Sequence, residues 1–183
     1  PGMTIGSSAV ITALDGDGHM EMALGSNGNR FYVMRENGQE WLDGDSNPAT
    51  KGVFKVLPTT FNIGSPAAAD MDGDGLPELV YGGYDGRVYV WNGDGSNVPG
   101  FPFLTNGPIT SSVAVGYLDG PGDASPEIVF TSTNDSLYVL NANGARRPGW
   151  PVWTRVAGTS RAPSPALADF NNDGFLDIIH MGI

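Results

Sequence analysis

The sequence predicts an all-β fold, and three observations support this prediction. Glycine occurs 27 times and proline 14 times among 183 residues, which suits short strands joined by tight turns better than helices. Hydrophobic residues form 40% of the chain and aromatic residues 10%, as in globular proteins. The third observation is internal repetition, because related segments recur at intervals of 46 to 58 residues.

Four segments begin alike and define four repeat units. They are SSAVITALDGDGHMEMALGS from Ser7, SPAAADMDGDGLPELVYGG from Ser65, SSVAVGYLDG from Ser111 and SPALADFNNDGFLDIIHMG from Ser164. We expect one repeat domain over residues 1–183, with units at 7–62, 65–108, 111–160 and 164–183, the last of them partial. Intervals of about 50 residues are typical of propellers and solenoids.

Each unit is predicted to be an antiparallel meander of short strands. The first strand ends at an acidic loop, and the second strand follows as HMEMALG, PELVYGG or PEIVFTS. A turn, SNGN, YDGR or TNDS, then leads to the third strand, RFYVM, RVYVW or SLYVL. Asn-Gly and Asp-Gly supply the positive φ that tight hairpin turns require. Tyr32, Tyr89 and Tyr138 recur in the third strands, so we expect them to occupy equivalent positions.

The third strands are apolar on both faces, so each sheet needs a neighbouring sheet on either side. Stacking repeated sheets around an axis meets that need, which predicts β-propeller blades of four-stranded antiparallel sheets. A linear β-solenoid is the alternative, although it predicts a shorter and stricter period. A propeller ring closes with about 4 to 8 blades. Three full units and the start of a fourth therefore predict part of a larger propeller, with the remainder in a longer chain.

The acidic loop DMDGDGLPE, residues 70–78, places four carboxylates in nine residues. With Asp70 as position 1, oxygen-bearing side chains stand at positions 1, 3, 5 and 9, and Gly75 at position 6 allows a sharp bend. Carboxylates held this close repel one another unless a cation lies among them, and Ca²⁺ takes 6 to 8 oxygen ligands at about 2.3 to 2.6 Å. The predicted ligands are Asp70, Asp72, Asp74, the backbone carbonyl of Leu76, and Glu78. An EF-hand is disfavoured because its bidentate acid falls at position 12 and its flanks are helices.

The other three units carry variants of this loop. The fourth is complete, with predicted ligands Asp169, Asn171, Asp173, the Phe175 carbonyl and Asp177. The first has Ala13 at position 1 and is a weaker candidate, with Asp15, Asp17, His19 and Glu21. Counting back from Glu127 in the longer third loop puts Asp119 at position 1, Pro121 at 3, Asp123 at 5 and Ala124 at 6, which predicts the weakest site. The alternative for any one loop is a solvated acidic hairpin turn without a metal.

The combination of SPAAADMDGDGLPELVYGG with DGRVYVWNGDGSNVPGFP resembles the FG-GAP or VCBS-type repeat of integrin-α-like β-propellers. The resemblance covers essentially the whole chain. It implies a secreted or cell-surface propeller that binds Ca²⁺ through the matching positions of the second and fourth loops. Propellers of this kind serve as adhesion modules, lectins, spacers beside hydrolase domains and frames of polysaccharide lyases.

Charge and motifs narrow the predicted function. The net charge of −11 disfavours nucleic-acid binding, and no apolar run is long enough to span a membrane. Nucleophile-elbow, zinc-protease and phosphate-loop motifs are absent, and neither His19 nor His180 has a second histidine at ligand spacing. We therefore expect a non-catalytic extracellular module for adhesion, assembly or binding of a protein or glycan. The alternative is a lectin or a Ca²⁺-dependent polysaccharide lyase, which would need a basic residue beside an ion.

Overall fold

The computed structural model describes residues 5–120, 122–154 and 161–181, and within these ranges the chain forms strands and turns but no helix. The predicted all-β fold is confirmed. Three four-stranded antiparallel sheets and one two-stranded sheet follow one another along the chain. The predicted unit ends at residues 160 and 183 lie outside the described residues. A search of the described residues for an apolar helix of membrane-spanning length found none.

We call the sheets blades 1 to 4. Blade 1 contains β1 (Val10–Thr12), β2 (Glu21–Gly25), β3 (Arg30–Arg35) and β4 (Val53–Val56). Blade 2 contains β5 (Ala67–Ala69), β6 (Glu78–Gly82), β7 (Arg87–Trp91) and β8 (Phe103–Leu104). Blade 3 contains β9 (Ala114–Gly116), β10 (Glu127–Ser132), β11 (Ser136–Leu140) and β12 (Val152–Trp153). Blade 4 contains β13 (Ala166–Ala168) and β14 (Asp177–Ile179). Each blade is a meander in which consecutive strands pair, as the repeat predicted.

The third-strand tyrosines occupy equivalent positions, which confirms the register of the repeat. Tyr32 pairs with Leu24, Tyr89 with Tyr81 and Tyr138 with Phe130. Each of these partners lies three residues after the glutamate that begins the second strand. Burial differs between the blades: Tyr89 and Tyr138 are buried, whereas Tyr32 is half-exposed. Strand β3 therefore has only one buried face, whereas the third strands β7 and β11 are buried at all but their first residue.

The core lies between successive blades. Between blades 1 and 2, the Phe31 ring packs 4.9 Å from Tyr81 and 5.2 Å from Trp91, centroid to centroid. Between blades 2 and 3, the main contributors are aliphatic side chains and the stacked pair of Phe130 and Tyr138. Apolar strand side chains, joined by loop residues such as Leu14, Val98 and Ile109, fill these interfaces, so the blades bury each other's faces.

A repeated hydrogen bond joins the starts of the units. The Ser8 amide donates to the Ser65 hydroxyl at 2.9 Å, the Ser65 amide to Ser112 at 3.1 Å, and the Ser112 amide to Ser164 at 2.9 Å. The innermost strands β1, β5, β9 and β13 consequently lie side by side, each against the next. The serines that mark the beginning of each unit in the sequence therefore link one blade to the next. This arrangement also places the four acidic loops at one end of the sheets.

Candidate metal centres in the acidic loops

The strand register defines equivalent positions in the four acidic loops. In each blade, the last residue of the first strand pairs with the acidic residue that begins the second strand. These pairs are Thr12 with Glu21, Ala69 with Glu78, Gly116 with Glu127, and Ala168 with Asp177. The residue after each first strand is therefore position 1, and the paired acid is position 9.

This register corrects the count made for the third loop. Because Gly116 is equivalent to Ala69, position 1 is Tyr117 and Asp119 falls at position 3, as Asp72 does in blade 2. The extra length is two residues and lies between Asp119 and Asp123 rather than before Asp119. Counting back from Glu127 failed because it assumed that the insertion preceded the loop. Pro121, expected at position 3, belongs to the insertion and lies outside the described residues.

A carboxylate at position 9 anchors every loop, and it is buried in the first three loops and half-buried in the fourth. One of its oxygens accepts the backbone N–H of position 2: Leu14 to Glu21 at 2.9 Å, Met71 to Glu78 at 2.6 Å, Leu118 to Glu127 at 2.9 Å, and Phe170 to Asp177 at 3.0 Å. Glu21, Glu78 and Glu127 are at most 4% exposed. Glu21 Oε1 is buried and has no hydrogen-bond partner among the described residues. A buried carboxylate oxygen without a partner favours a cation or a proton beside it, since burying an unpaired charge is costly.

The second loop is folded by its own aspartates. Asp70 accepts from the amides of Gly73 at 2.7 Å and Gly75 at 2.9 Å, and both glycines have positive φ. Asp72 accepts from the Asp74 amide at 3.2 Å, and Asp74 from the Leu76 amide at 2.8 Å. These bonds turn the chain so that one carboxylate oxygen from each of Asp70, Asp72 and Glu78 lies within 4.8 Å of the others. The group can hold a metal ion.

The fourth loop has most of this hydrogen-bond pattern, except that its position-1 aspartate accepts from position 5 where Asp70 accepts from position 4. Asp169 accepts from the amides of Asp173 at 3.0 Å and Gly174 at 2.9 Å, and Asp173 accepts from the Phe175 amide at 2.9 Å. Asn171 stands where blade 2 has Asp72, so an amide oxygen replaces a carboxylate oxygen at position 3. This loop therefore has the fold of the second loop with one charge fewer.

The candidate ligands of the first loop do not form a compact acidic group among the described residues. Asp15 accepts from the Asp17 amide at 3.0 Å, and Asp17 accepts from the His19 amide at 2.8 Å. The His19 ring lies 2.7 Å from Glu36, outside the loop, so only its backbone carbonyl remains as a ligand. Among the described residues, the groups of three acidic side chains within 4.8 Å come from loops 2 and 3, and loops 1 and 4 contribute none.

The side chains at position 7 link neighbouring loops, a role that the sequence analysis did not predict for them. The Leu76 side chain packs against Gly16 of loop 1, and a Cβ added to Gly16 would lie 3.1 Å from it. The Phe175 ring fills the space beside Gly120 of loop 3 so closely that a Cβ there would overlap it. Leu76 and Phe175 were predicted to offer backbone carbonyls, and their side chains additionally pack each loop on the preceding blade.

The third loop forms a second acidic group. A basic residue from another segment, which the sequence analysis missed, lies against this group. Oxygens of Asp119, Asp123 and Glu127 lie within 4.8 Å of one another. The Arg147 guanidinium contacts Asp119 and lies 3.6 Å from Glu127 Oε1. Arg147 comes from the turn after β11, twenty residues beyond Glu127, so the local spacing of the loop carried no signal for it.

Burial and neighbouring charges shift the pKa of the anchoring glutamates. Burial, with the nearby charges of Asp72, Asp74 and Asp70, raises the pKa of Glu78 to about 7. Burial also raises the pKa of Glu127, and Arg147 opposes that shift. A carboxyl group that resists ionisation among other carboxylates favours a proton or a cation beside it. The donor set of loop 2 consists of oxygens, which a hard divalent cation such as Ca²⁺ prefers, so its residues fit that ion.

The solved chains that are similar to this one include two of BBS1N and one of Bap1. BBS1N in its crystal complex with ARL6DN soaked with lead matches at a TM-score of 0.61 and 15% identity, over 99% of this chain and 48% of that one. BBS1N in the same complex soaked with mercury matches at 0.56 and 14%, over 98% and 56%. The V. cholerae biofilm matrix protein Bap1 matches at 0.42 and 19%, over 79% and 28%. The chain thus spans about half the length of the BBS1N chains, which are similar to it in fold.

The sequence itself also matches a known family. No protein of curated function matches the chain. The profile of the FG-GAP-like repeat matches residues 14–81 and 121–180, more than half of the chain. Both segments include an acidic loop and the strand that follows it, as the register of blades 1, 2 and 4 requires. The chain therefore belongs to the FG-GAP-like repeat family.

Proposed function

We propose that this chain is a calcium-binding β-propeller module of the cell exterior, with a non-catalytic role in adhesion or binding of a protein or glycan. The observation that carries the proposal is the second loop, where Asp70, Asp72 and Glu78 bring oxygens within 4.8 Å. No ion pair of the described residues involves these three side chains or Asp74. A bound divalent cation would supply the missing counter-charge.

The exposure of the loop supports an extracellular setting. Asp72 and Asp74 are exposed, and the other aspartate, Asp70, is half-exposed, so the ion would keep contact with water. Extracellular calcium modules bind with dissociation constants of about 10⁻⁴ to 10⁻³ M, which demands free Ca²⁺ at the concentrations found outside cells. The fourth loop, with a similar set of hydrogen bonds and an amide at position 3, is proposed as the next strongest site.

A cleft beside the second loop supports a binding role. It has a volume of about 530 Å³ and lies between loops 2 and 3, on the end of the blades that carries the acidic loops. Its walls include the apolar Val98 and Pro99, the carboxylates of Asp72 and Asp123, and the amide side chain of Asn141. The carboxylates of Asp119 and Glu127 also line it, so the cleft is polar and acidic. Carboxylates and amides suit hydroxyl groups or basic side chains, whereas they repel an acidic polysaccharide.

Binding of calcium can be tested by isothermal titration calorimetry. We expect the wild-type chain to bind Ca²⁺, and the Asp72→Asn variant to bind it more weakly at the second loop, because the amide keeps an oxygen at position 3, as Asn171 does in the fourth loop, but not the charge. Asp135→Asn is the matched control, since it removes one charge from the turn between β10 and β11 at the other end of the strands. Unchanged binding in Asp72→Asn would show that the second loop does not hold the ion.

The binding role and the lyase alternative are separated by a second experiment. The chain is passed over immobilised neutral glycans and polyuronates in Ca²⁺ and again in chelator. Calcium-dependent retention without breakage of the glycan supports a binding module. Cleavage of a polyuronate, seen as ultraviolet absorbance of the unsaturated product, would establish the enzyme instead. Retention that is equally strong in chelator would contradict a role for calcium in ligand binding.

A further inference from the structure

The turn after the third strand contributes a different residue to each acidic loop. Backbone hydrogen bonds show that Trp41, Val98 and Arg147 are equivalent, because their amides donate to Val33, Val90 and Val139 at 3.0 to 3.2 Å. Blades 1 and 2 therefore place an apolar side chain at this position, and blade 3 places a guanidinium there. The difference is confined to one position of an otherwise repeated turn.

Arg147 makes contact with two of the three carboxylates of the third loop. Its Nη2 donates to Asp119 Oδ1, and its Nη1 lies 3.6 Å from Glu127 Oε1. The other oxygen of Glu127 accepts the Leu118 amide at 2.9 Å, so both oxygens of this buried carboxylate have a donor nearby. In blade 1, by contrast, the equivalent oxygen of Glu21 is buried without a partner among the described residues.

The second and third loops also differ in their balance of acidic and basic groups. Loop 2 has four carboxylates, and no basic group of the described residues pairs with them. Loop 3 lacks the position-1 aspartate, since Tyr117 stands there, and its remaining three carboxylates face one guanidinium. An arginine is protonated at any physiological pH and presents two donors to a pair of oxygens. It therefore offers a permanent positive charge where a metal ion would otherwise be needed.

We propose that the Arg147 guanidinium is the built-in counter-ion of the third loop, so that blade 3 needs no divalent cation, and that Asp119, Asp123 and Glu127 form a latent cation site blocked by it. A divalent cation that entered the loop would have to displace the guanidinium from Asp119 and meet its charge at close range. Because the guanidinium is tethered to the same blade, its effective concentration at the carboxylates is high. Blades 2 and 3 thus satisfy the same buried glutamate by different cations.

The proposal predicts that removal of Arg147 creates a calcium site. The number of Ca²⁺ ions bound per chain is measured by titration calorimetry and by native mass spectrometry for the wild type and Arg147→Met. We expect Arg147→Met to bind one additional ion, and to lose that ion again when Asp123→Asn is added. Arg146→Met is the matched control, since Arg146 lies over the Phe103 ring and should leave the ion count unchanged. An unchanged ion count in Arg147→Met would overturn the proposal.

Two independent tests are the thermal melting of Arg147 variants and the ion count of Asp123→Asn in the otherwise wild-type chain. In chelator, Arg147→Met should melt several degrees below the wild type, and Ca²⁺ should restore most of the loss, whereas Arg147→Lys should need no Ca²⁺. If Arg147→Met does not fold, Asp123→Asn alone decides: it should leave the wild-type ion count unchanged, and loss of an ion would overturn the proposal. Because the readout is a difference between variants, it holds even if the second loop binds no calcium.

Discussion

Removal of calcium should destabilise the chain, and the geometry of the second loop sets the size of the effect. Oxygens of Asp70, Asp72 and Glu78 lie no more than 4.8 Å apart. At that distance, two unit charges repel by about 0.9 kcal/mol at the dielectric constant of water and about 3.5 kcal/mol at an effective value of ~20. Asp72 is exposed, so solvent screening favours the lower value. Above pH 7, where Glu78 is ionised, three such pairs then cost about 3 kcal/mol when the ion is absent.

A loss of about 3 kcal/mol is a large part of the ~5 to 15 kcal/mol that stabilises a typical domain. For a chain of this size, each 1 kcal/mol corresponds to about 2 to 4 °C in melting temperature. We therefore expect the melting temperature to fall by about 6 to 12 °C in chelator, and to rise with excess Ca²⁺ by mass action.

Scanning calorimetry in Ca²⁺ and in chelator provides the assay. Asp72→Asn removes two of the three repulsive pairs and weakens the ion site, so its difference between the two conditions should be less than half that of the wild type. Asp135→Asn, which changes a turn remote from the loops, should retain the wild-type difference. Equal melting temperatures of the wild type with and without calcium would refute the structural role of the ion.

Three further predictions concern titration and packing. The folded metal-free chain raises the pKa of Glu78 from 4.5 to about 7, so it binds that proton more tightly than the unfolded chain. The contribution of Glu78 to stability should be fully present below pH 4.5 and be lost as pH rises through 7, while calcium affinity rises. Glu78→Gln should flatten the melting temperature between pH 5 and 8 in chelator, and a persistent slope would contradict the assignment. Phe31→Ala should lower the free energy of unfolding, measured with denaturant, by about 3 to 5 kcal/mol because its ring fills the interface of blades 1 and 2. Phe170→Ala should cost little because Phe170 is 82% exposed. Similar costs for the two variants would contradict the assignment of Phe31 to the core between these blades. Gly25→Ala should lower the free energy of unfolding by about 1 to 3 kcal/mol because the new Cβ would overlap the Tyr81 hydroxyl. In a double-mutant cycle with Tyr81→Phe, additive effects of the two substitutions would exclude that clash.

The fold and most loop chemistry could be predicted from the sequence because they depend on neighbouring residues. The glycines of DMDGDGLPE need positive φ, and its aspartates accept amides two to five residues away, so the loop is encoded within nine residues. Alternating strands separated by Asn-Gly and Asp-Gly turns likewise determine the meander locally. Repetition then placed Tyr32, Tyr89 and Tyr138 at equivalent positions before any tertiary contact was known.

Contacts between distant segments could not be read in this way. The position of Asp119 depends on pairing of Gly116 with Glu127, and a loop of altered length has no internal mark that shows where the insertion lies. The blade-linking role of Ser65 and its equivalents requires two units to be adjacent in space.

The guanidinium beside the third loop shows the same difference between what the sequence determines and what tertiary contacts determine. The sequence alone determined that Asp119, Asp123 and Glu127 carry negative charge near one another and that two arginines follow the next turn. Only the tertiary structure decided that Arg147 reaches Asp119 and Glu127 while Arg146 lies over Phe103. Adjacent side chains on an extended backbone point to opposite faces, so which arginine meets the carboxylates depends on how the turn packs against the sheet.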